Sequence, residues 1–205
     1  MRSMLAAALA ATVLVPAAAD AAPTRAGCRA VLTDPKGDTY AGLHHEPAGD
    51  ITAITLRSTA KTLTVATTLA DVDAPLVTAP GGRAIWVTFS TGEQRSFLAK
   101  WVQGIDKTYA ALSVGDVDSG TGAGSAFAGS KVADLTWSVD VKANQVRVEV
   151  PLATIAKYAG AVRKGTPVRV RTIEVYEVHG LSEYHSGGSM DLNHDGARAW
   201  RIGDC

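Results

Sequence analysis

The 205-residue sequence has no excess of charge of either sign and contains few cysteine and aromatic residues. Its 20 basic and 20 acidic residues cancel to a formal net charge of zero. Because binding to nucleic acids requires clustered positive charge, this balance argues against a nucleic-acid partner. The densest basic run, at residues 163–172, is typical of a solvated strand face.

Apolar runs long enough to cross a membrane comfortably are also absent. The apolar segment at residues 4–15 follows a positive charge and precedes small residues that suit a cleavage site. This pattern predicts a secretory signal peptide over residues 1–21 and a secreted, extracellular protein, with a buried N-terminal helix as the alternative. No linker or repeat divides residues 22–205, which predicts a single domain.

The motifs of common hydrolases are missing as well, since the chain has neither a G-x-S-x-G nor an H-E-x-x-H pattern. Glu174 and Glu177 fall on opposite faces of one predicted strand, which is a poor arrangement for a glycosidase pair. Histidines do collect late in the chain, at His179, His185 and His194. An enzyme using this histidine- and carboxylate-rich segment is therefore kept as a minor hypothesis.

Only two cysteines occur, Cys28 and Cys205. In an exported protein such a pair is expected to form a disulfide. The bridge would close nearly the whole mature chain into one ring and would bring its two ends together. Two free thiols are the alternative.

Alternation of apolar and polar residues is the dominant pattern of the mature chain. It predicts half-buried strands separated by turns rich in Gly, Pro, Asn and Asp. Residues 167–178 form the longest predicted strand, whose apolar phase slips near Thr172 as a β-bulge would cause. With one short helix predicted over Pro151–Ala161, the expected fold is an all-β antiparallel β-sandwich. Further strands are predicted at residues 62–69, 83–90, 96–101, 133–140 and 145–150.

Two acidic clusters near opposite ends of the chain offer oxygen ligands for a metal ion. The stretch "DLNHDG" places Asp191, Asn193 and Asp195 at alternating positions before a glycine, as in the first half of an EF-hand loop. Ile202 stands where that loop needs a bidentate glutamate, so a second segment would have to complete a calcium site. Plain turns rich in Asp, Asn and Gly are the alternative. The candidate ligands from the other end are Asp34, Asp38 and Asp50.

The order of these features resembles that of the DOMON-like sandwiches, which include the family-nine carbohydrate-binding modules. The resemblance rests on the Asp-Pro-x-Gly-Asp turn at residues 34–38, Asp-Ile at 50–51, Val-Pro-Leu at 150–152 and the acidic segment 191–196. It covers residues 30–203 and implies a jelly-roll-like sandwich with a structural calcium ion near the chain ends. Sugar-binding members hold their ligands between exposed aromatic residues, so carbohydrate is the implied ligand class.

Aromatic side chains that are out of phase with the core are candidates for a ligand platform, because sugar rings stack on aromatic faces. Trp86 alternates with Ile85 and Val87, and Tyr109 is out of phase with Leu112. Trp86 and Tyr109 are therefore the predicted ligand-binding residues, with burial under a loop or an interface as the alternative for Trp86. The tryptophans in phase with the core, and predicted to be buried, are Trp101, Trp137 and Trp200.

Taken together, these patterns predict a secreted, calcium-stabilised β-sandwich that acts as a binding module, with carbohydrate as its candidate ligand. Calcium is the only expected cofactor. The second hypothesis is a structural or interaction protein of the cell envelope that binds no small ligand, and the third is a hydrolase.

Overall fold

Antiparallel strands account for most of the described chain in the computed structural model of this protein. The structure describes residues 29–34, 36–37, 49–73, 82–91, 95–104, 106–116, 127, 129–179, 182–190 and 199–203. For residues 177–179, 182–190 and 199 it describes the backbone alone. The elements in chain order are β1 (Arg29–Thr33), β2 (Ile51–Ser58), β3 (Thr62–Leu69), β4 (Gly82–Ser90), β5 (Arg95–Gln103), β6 (Thr108–Asp116), β7 (Gly129–Asp134), β8 (Thr136–Asp140), β9 (Gln145–Pro151), α1 (Leu152–Ala159), β10 (Pro167–His179), β11 (Ser182–Met190) and β12 (Ala199–Arg201).

The strands form two antiparallel sheets. The five-stranded sheet has the order β1-β2-β3-β9-β8. The seven-stranded sheet has the order β11-β10-β4-β5-β6-β7, and β12 pairs with the first residues of β10. The predicted all-β, antiparallel, sandwich-like fold is confirmed, and α1 is the single helix in the part of the chain that the structure describes.

A single large hydrophobic cluster lies between the sheets and includes buried residues from both. The alternation in the sequence explains its composition, since every second residue of each inner strand points inward. Burying a Leu, Ile or Phe side chain stabilises the fold by about 1.5–3 kcal/mol each. Its fully buried members include Ile54, Leu63, Phe89, Phe97, Leu112, Val150, Ile155 and Ile173.

The predicted short helix is confirmed as α1 (Leu152–Ala159), which packs against this core. Pro151 precedes its first turn with φ −64°, and the helix ends before Gly160, whose φ of +77° is left-handed. Leu152 and Ile155 are buried on one face of the helix. The backbone N–H of Leu152 also donates a hydrogen bond to the carbonyl of Lys61, which ties the helix to the turn before β3.

The predicted strand at residues 133–140 is confirmed in part: residues 133–134 end β7 and residues 136–140 form β8, because the chain changes sheets at Leu135. Its N–H donates to the carbonyl of Ala110, and the side chain is 7% exposed. The following strand, β8, is the last of the five-stranded sheet, so Trp137 and Val139 remain 37% and 38% exposed. The predicted burial of Trp137 is therefore wrong: the residue pairs with buried Val148 but lies at a sheet edge. Burial is confirmed for the other two in-phase tryptophans, Trp101 and Trp200.

The β-bulge predicted near Thr172 is confirmed. The register of β10 against β4 shifts between Val170 and Thr172. Before the shift Val170 belongs to the core, and after it Ile173 does, so the apolar phase changes from even to odd positions. Thr172 and Glu174 therefore lie on the face of the sheet opposite the core.

Candidate functional site

The outer face of the seven-stranded sheet is the face turned away from the shared core, and it carries both predicted ligand-binding residues. Trp86 on β4 has Glu174 of β10 as one cross-strand neighbour and Lys100 of β5 as the other. An acid, an indole and a base thus form one row across three adjacent strands. The residues of this outer face include Ala84, Trp86, Thr88, Ser90, Ser96, Leu98, Lys100, Val102, Tyr109, Ala111, Ser113, Thr172, Glu174 and Tyr176.

Trp86 lies on this outer face, as its phase predicted, and it is half-buried. Its ring centroid is 4.3 Å from that of Tyr176, at an interplanar angle of 36°. The Nζ atom of Lys100 lies 5.3 Å from the indole centroid, within the range of a cation–π interaction. Trp86 therefore packs against a small second cluster, formed by Ala84, Val102 and Tyr176, rather than projecting alone.

Tyr109 packs against the same cluster from β6. It is half-buried and is the cross-strand neighbour of Val102. The Nζ atom of Lys107 lies 5.3 Å from the centroid of its ring. The two predicted aromatic residues therefore lie on one face, separated by Val102 and Ala84.

Glu174 is the charged residue most deeply buried on this face, with 3% exposure. The hydroxyl of Tyr176 donates a 2.8 Å hydrogen bond to its Oε2 atom. Its Oε1 atom is buried and has no hydrogen-bond partner. From the sequence, Glu174 was predicted only as half of a poor catalytic pair, and the bulge before it was the signal for its place on the outer face of the sheet.

Other polar groups on or next to the outer face are buried and unpaired. The Oγ atom of Ser90 and the Oγ1 atom of Thr91 have no partner, and neither has the Nε atom of Arg171 at the bulge. Native proteins leave few buried polar groups unpaired, and such a group calls for water, an ion or a ligand. Among the described side chains of this sheet, the polar residues with at most 3% exposure are Thr88, Ser90, Ser96, Thr172 and Glu174.

A buried arginine on the opposite, core-side face of β4 holds the loop that follows β3. The guanidinium group of Arg83 donates to the carbonyl of Val72 and to Oε1 of Gln103. Burial lowers the pKa of Arg83, while the nearby carboxylates of Asp71 and Asp73 raise it and so oppose that shift. The interaction holds the loop to the sheet rather than creating a reactive group.

The N-terminal acidic cluster is partly described, and it brings Asp34 and Asp50 to one place. The N–H of Asp34 donates to the carbonyl of Thr52, and the N–H of Gly37 donates to Oδ2 of Asp50 at 2.9 Å. Gly37 has a φ of +87°, which suits glycine and lets the turn fold back onto the carboxylate. Asp50 is only 4% exposed, and its Oδ1 atom is buried without a hydrogen-bond partner.

The remaining predicted metal ligands, Asp38, Asp191, Asn193 and Asp195, lie outside the described residues. The described residues on either side of the second cluster, Met190 and Ala199, both pair with β10. The strand β11, which ends at Met190, also contacts β2, which begins directly after Asp50. Within the described ranges no three His, Cys, Asp or Glu side chains form a group that could hold a metal ion.

Cys28 and Cys205 also lie outside the described residues, but their described neighbours meet at the end of β2. Arg29 pairs with Arg57. The next residue, Ser58, donates from its Oγ atom to the carbonyl of Gly203 at 2.9 Å and accepts from the N–H of Gly203 at 3.0 Å. Segments from opposite ends of the chain are therefore adjacent at this point.

The fold and the outer face together define an all-β, sandwich-like protein with a candidate binding surface. No family model, curated protein or solved structure matches the chain. In the part of the chain that the structure describes, no helix is long and apolar enough to span a membrane.

Proposed function

We propose that this protein is an exported binding module that holds a saccharide on the outer face of its seven-stranded sheet. A calcium ion at the Asp50 cluster stabilises the fold, on the plan of the DOMON-like sandwiches. The row formed by Glu174, Trp86 and Lys100 carries the proposal.

The chemistry of the outer face matches the chemistry of a sugar ring. A pyranose ring has apolar C–H faces that stack on aromatic rings, and hydroxyl groups that both donate and accept hydrogen bonds. Trp86 and Tyr176 supply the aromatic surface. Lys100, the half-buried cross-strand neighbour of Trp86, supplies a hydrogen-bond donor beside them.

Saccharide binding by wild-type protein and by Trp86→Ala tests this function directly. The variant should lose at least about tenfold in affinity, since an aromatic residue at the centre of a binding surface commonly contributes that much. Trp137→Ala is the matched control, because Trp137 lies on β8 of the other sheet and is 37% exposed. Glycan-array screening followed by titration of the best ligand measures both variants. Equal affinity of all three proteins would contradict the proposal.

The calcium proposal is supported by the carboxylate of Asp50, which has one oxygen bound by Gly37 and the other buried and unpaired. Calcium takes six to eight oxygen ligands, so Asp34 and Asp50 cannot complete a site by themselves. The contact between β11 and β2 supports the second acidic segment as the source of the missing ligands. Asp38, Asp191, Asn193 and Asp195 are the residues proposed for this role.

The exposed edge of the five-stranded sheet favours a second candidate, an interaction protein of the cell envelope. An edge strand presents unpaired backbone groups that can pair with another chain. On β8 and its turn, Trp137, Val139 and Val141 are 37%, 38% and 52% exposed. Sedimentation with isolated cell envelopes that is lost in Val139→Lys but retained in Trp86→Ala would favour this second function over saccharide binding.

A further inference from the structure

We infer that two copies of this protein pair through β8 and so join their five-stranded sheets into one continuous sheet. The inference goes beyond the proposed binding function and does not rest on it. It starts from the position of β8, which is the last strand of its sheet and has no described strand on its far side. An unpaired strand edge offers backbone N–H and C=O groups to another extended chain.

The hydrophobic core is incomplete beside β8. Trp137 points to the core side of the sheet, since it pairs with the buried Val148 of β9. It also packs edge-on against the buried Trp101, with ring centroids 6.3 Å apart. Val139, two residues further along β8, points the same way. Both β8 side chains nevertheless keep more than a third of their surface exposed, so a strand added beyond β8 would cover them and extend the core.

The strand β8 lacks the features that protect edge strands in native proteins. Such edges are commonly guarded by lysine, proline or a β-bulge. An edge strand of the other sheet, β7, carries Lys131, and its register against β6 shifts between Leu112 and Ser113. β8 contains no lysine or proline, and its register against β9 is unbroken from Thr136 to Asp140. Its edge is therefore open to pairing.

The sequence of β8 fits a second copy of itself. In antiparallel pairing with a two-fold axis at Ser138, Trp137 of each copy lies opposite Val139 of the other. An aromatic residue opposite a β-branched one is a favourable cross-strand pair. Asp140, the single charged residue of β8, lies opposite Thr136, so no like charges are brought opposite each other. This self-complementarity favours a second copy of the chain over an unrelated strand.

Sedimentation velocity of purified mature protein tests the pairing. The shared ladder has only five residues from each copy, and small interfaces are weak, so we expect a dissociation constant of about 1–100 µM. Val139→Lys places a charge on the apolar side of the ladder in both copies and should weaken dimerisation at least about tenfold. Val141→Lys is the matched control, because Val141 is 52% exposed in the turn after β8 and lies outside the ladder. Its dissociation constant should stay within about threefold of wild type.

Cysteine cross-linking tests the register of the pairing. Ser138 and Thr136 are both exposed. Ser138→Cys places the two thiols at the two-fold axis, where opposite Cα atoms lie about 4.5–5.5 Å apart, and a disulfide spans about 4.4–6.8 Å. Mild oxidation should therefore convert this variant to a covalent dimer. Thr136→Cys is the control, because its two thiols would lie about 14 Å apart along the ladder and should not cross-link.

The outcomes separate self-pairing from the other uses of this edge. Wild-type protein that stays monomeric above the expected range, or equal dimerisation by wild type and folded Val139→Lys, would overturn the inference. A dimer that Val141→Lys weakens as strongly as Val139→Lys, or that Thr136→Cys traps as readily as Ser138→Cys, would overturn it too, because the copies would not share this ladder. Monomeric wild-type protein whose binding to cell envelopes is lost in Val139→Lys would overturn it in favour of another chain at the same edge.

Discussion

Replacing Ser58 by alanine should destabilise the protein far more than the loss of one surface hydroxyl would. Ser58 is 1% exposed, and its Oγ atom makes two hydrogen bonds to the backbone of Gly203, one as donor and one as acceptor. Ser58→Ala leaves the N–H and the carbonyl of Gly203 without these partners. Each buried group left unpaired costs about 1–3 kcal/mol, so the free energy of unfolding should fall by about 2–6 kcal/mol in all.

Urea unfolding followed by tryptophan fluorescence measures this loss, with the slope of the transition reporting whether unfolding stays cooperative. Ser138→Ala is the control, because Ser138 is exposed on β8 and its change should stay within about 0.5 kcal/mol of wild type. If Ser58→Ala lowers the free energy of unfolding as little as Ser138→Ala does, the backbone groups of Gly203 form hydrogen bonds with water or with other partners in the variant. The hydrogen bonds to Ser58 would then not hold the two chain ends together.

Two further predictions concern the chain ends and the metal. Purified mature protein should show no free thiol under denaturing, non-reducing conditions, and reduction of Cys28–Cys205 should lower the stability by about 4–5 kcal/mol; two titratable thiols per chain would contradict the bridge. A calcium chelator should lower the melting temperature and excess calcium should restore it, with about 2.7 kcal/mol of stabilisation at a hundredfold excess over Kd. Asp50→Asn and Asp195→Ala should each abolish that response, whereas a melting curve indifferent to both reagents would contradict the site.

The strands could be predicted from sequence wherever alternation is uninterrupted. The strand β3 has the predicted bounds at residues 62–69, and the bulge in β10 falls where the apolar phase slips. The change of sheets at Leu135 could not be predicted, because the apolar phase continues unbroken through it into β8. Period-two alternation reports which face a residue occupies and carries no information on which sheet the strand joins.

The candidate site was predicted in part. The phase of Trp86 and Tyr109 placed both on the outer face, because alternation about a buried strand fixes that side. Glu174 was missed, since its position beside Trp86 depends on pairing between β4 and β10, which are far apart in sequence. Trp137 was predicted to be buried because it alternates in phase with core residues, and that phase is correct. Its exposure, however, also depends on whether another strand pairs with the far side of β8, and β8 is the last strand of its sheet.

The interleaving of the two sheets has a consequence for the order in which the chain can fold as it is made. One neighbour of β3 is β9, and one neighbour of β4 is β10, and both β9 and β10 are made late. Each sheet therefore requires segments from both halves of the chain. Ser58 and Gly203 are 145 residues apart in sequence. Pairings between distant segments form slowly, because the entropy of loop closure opposes them before any contact compensates. The N-terminal half should therefore be unable to complete either sheet while it emerges from the ribosome, and an incompletely folded chain is what threading through a translocation channel requires.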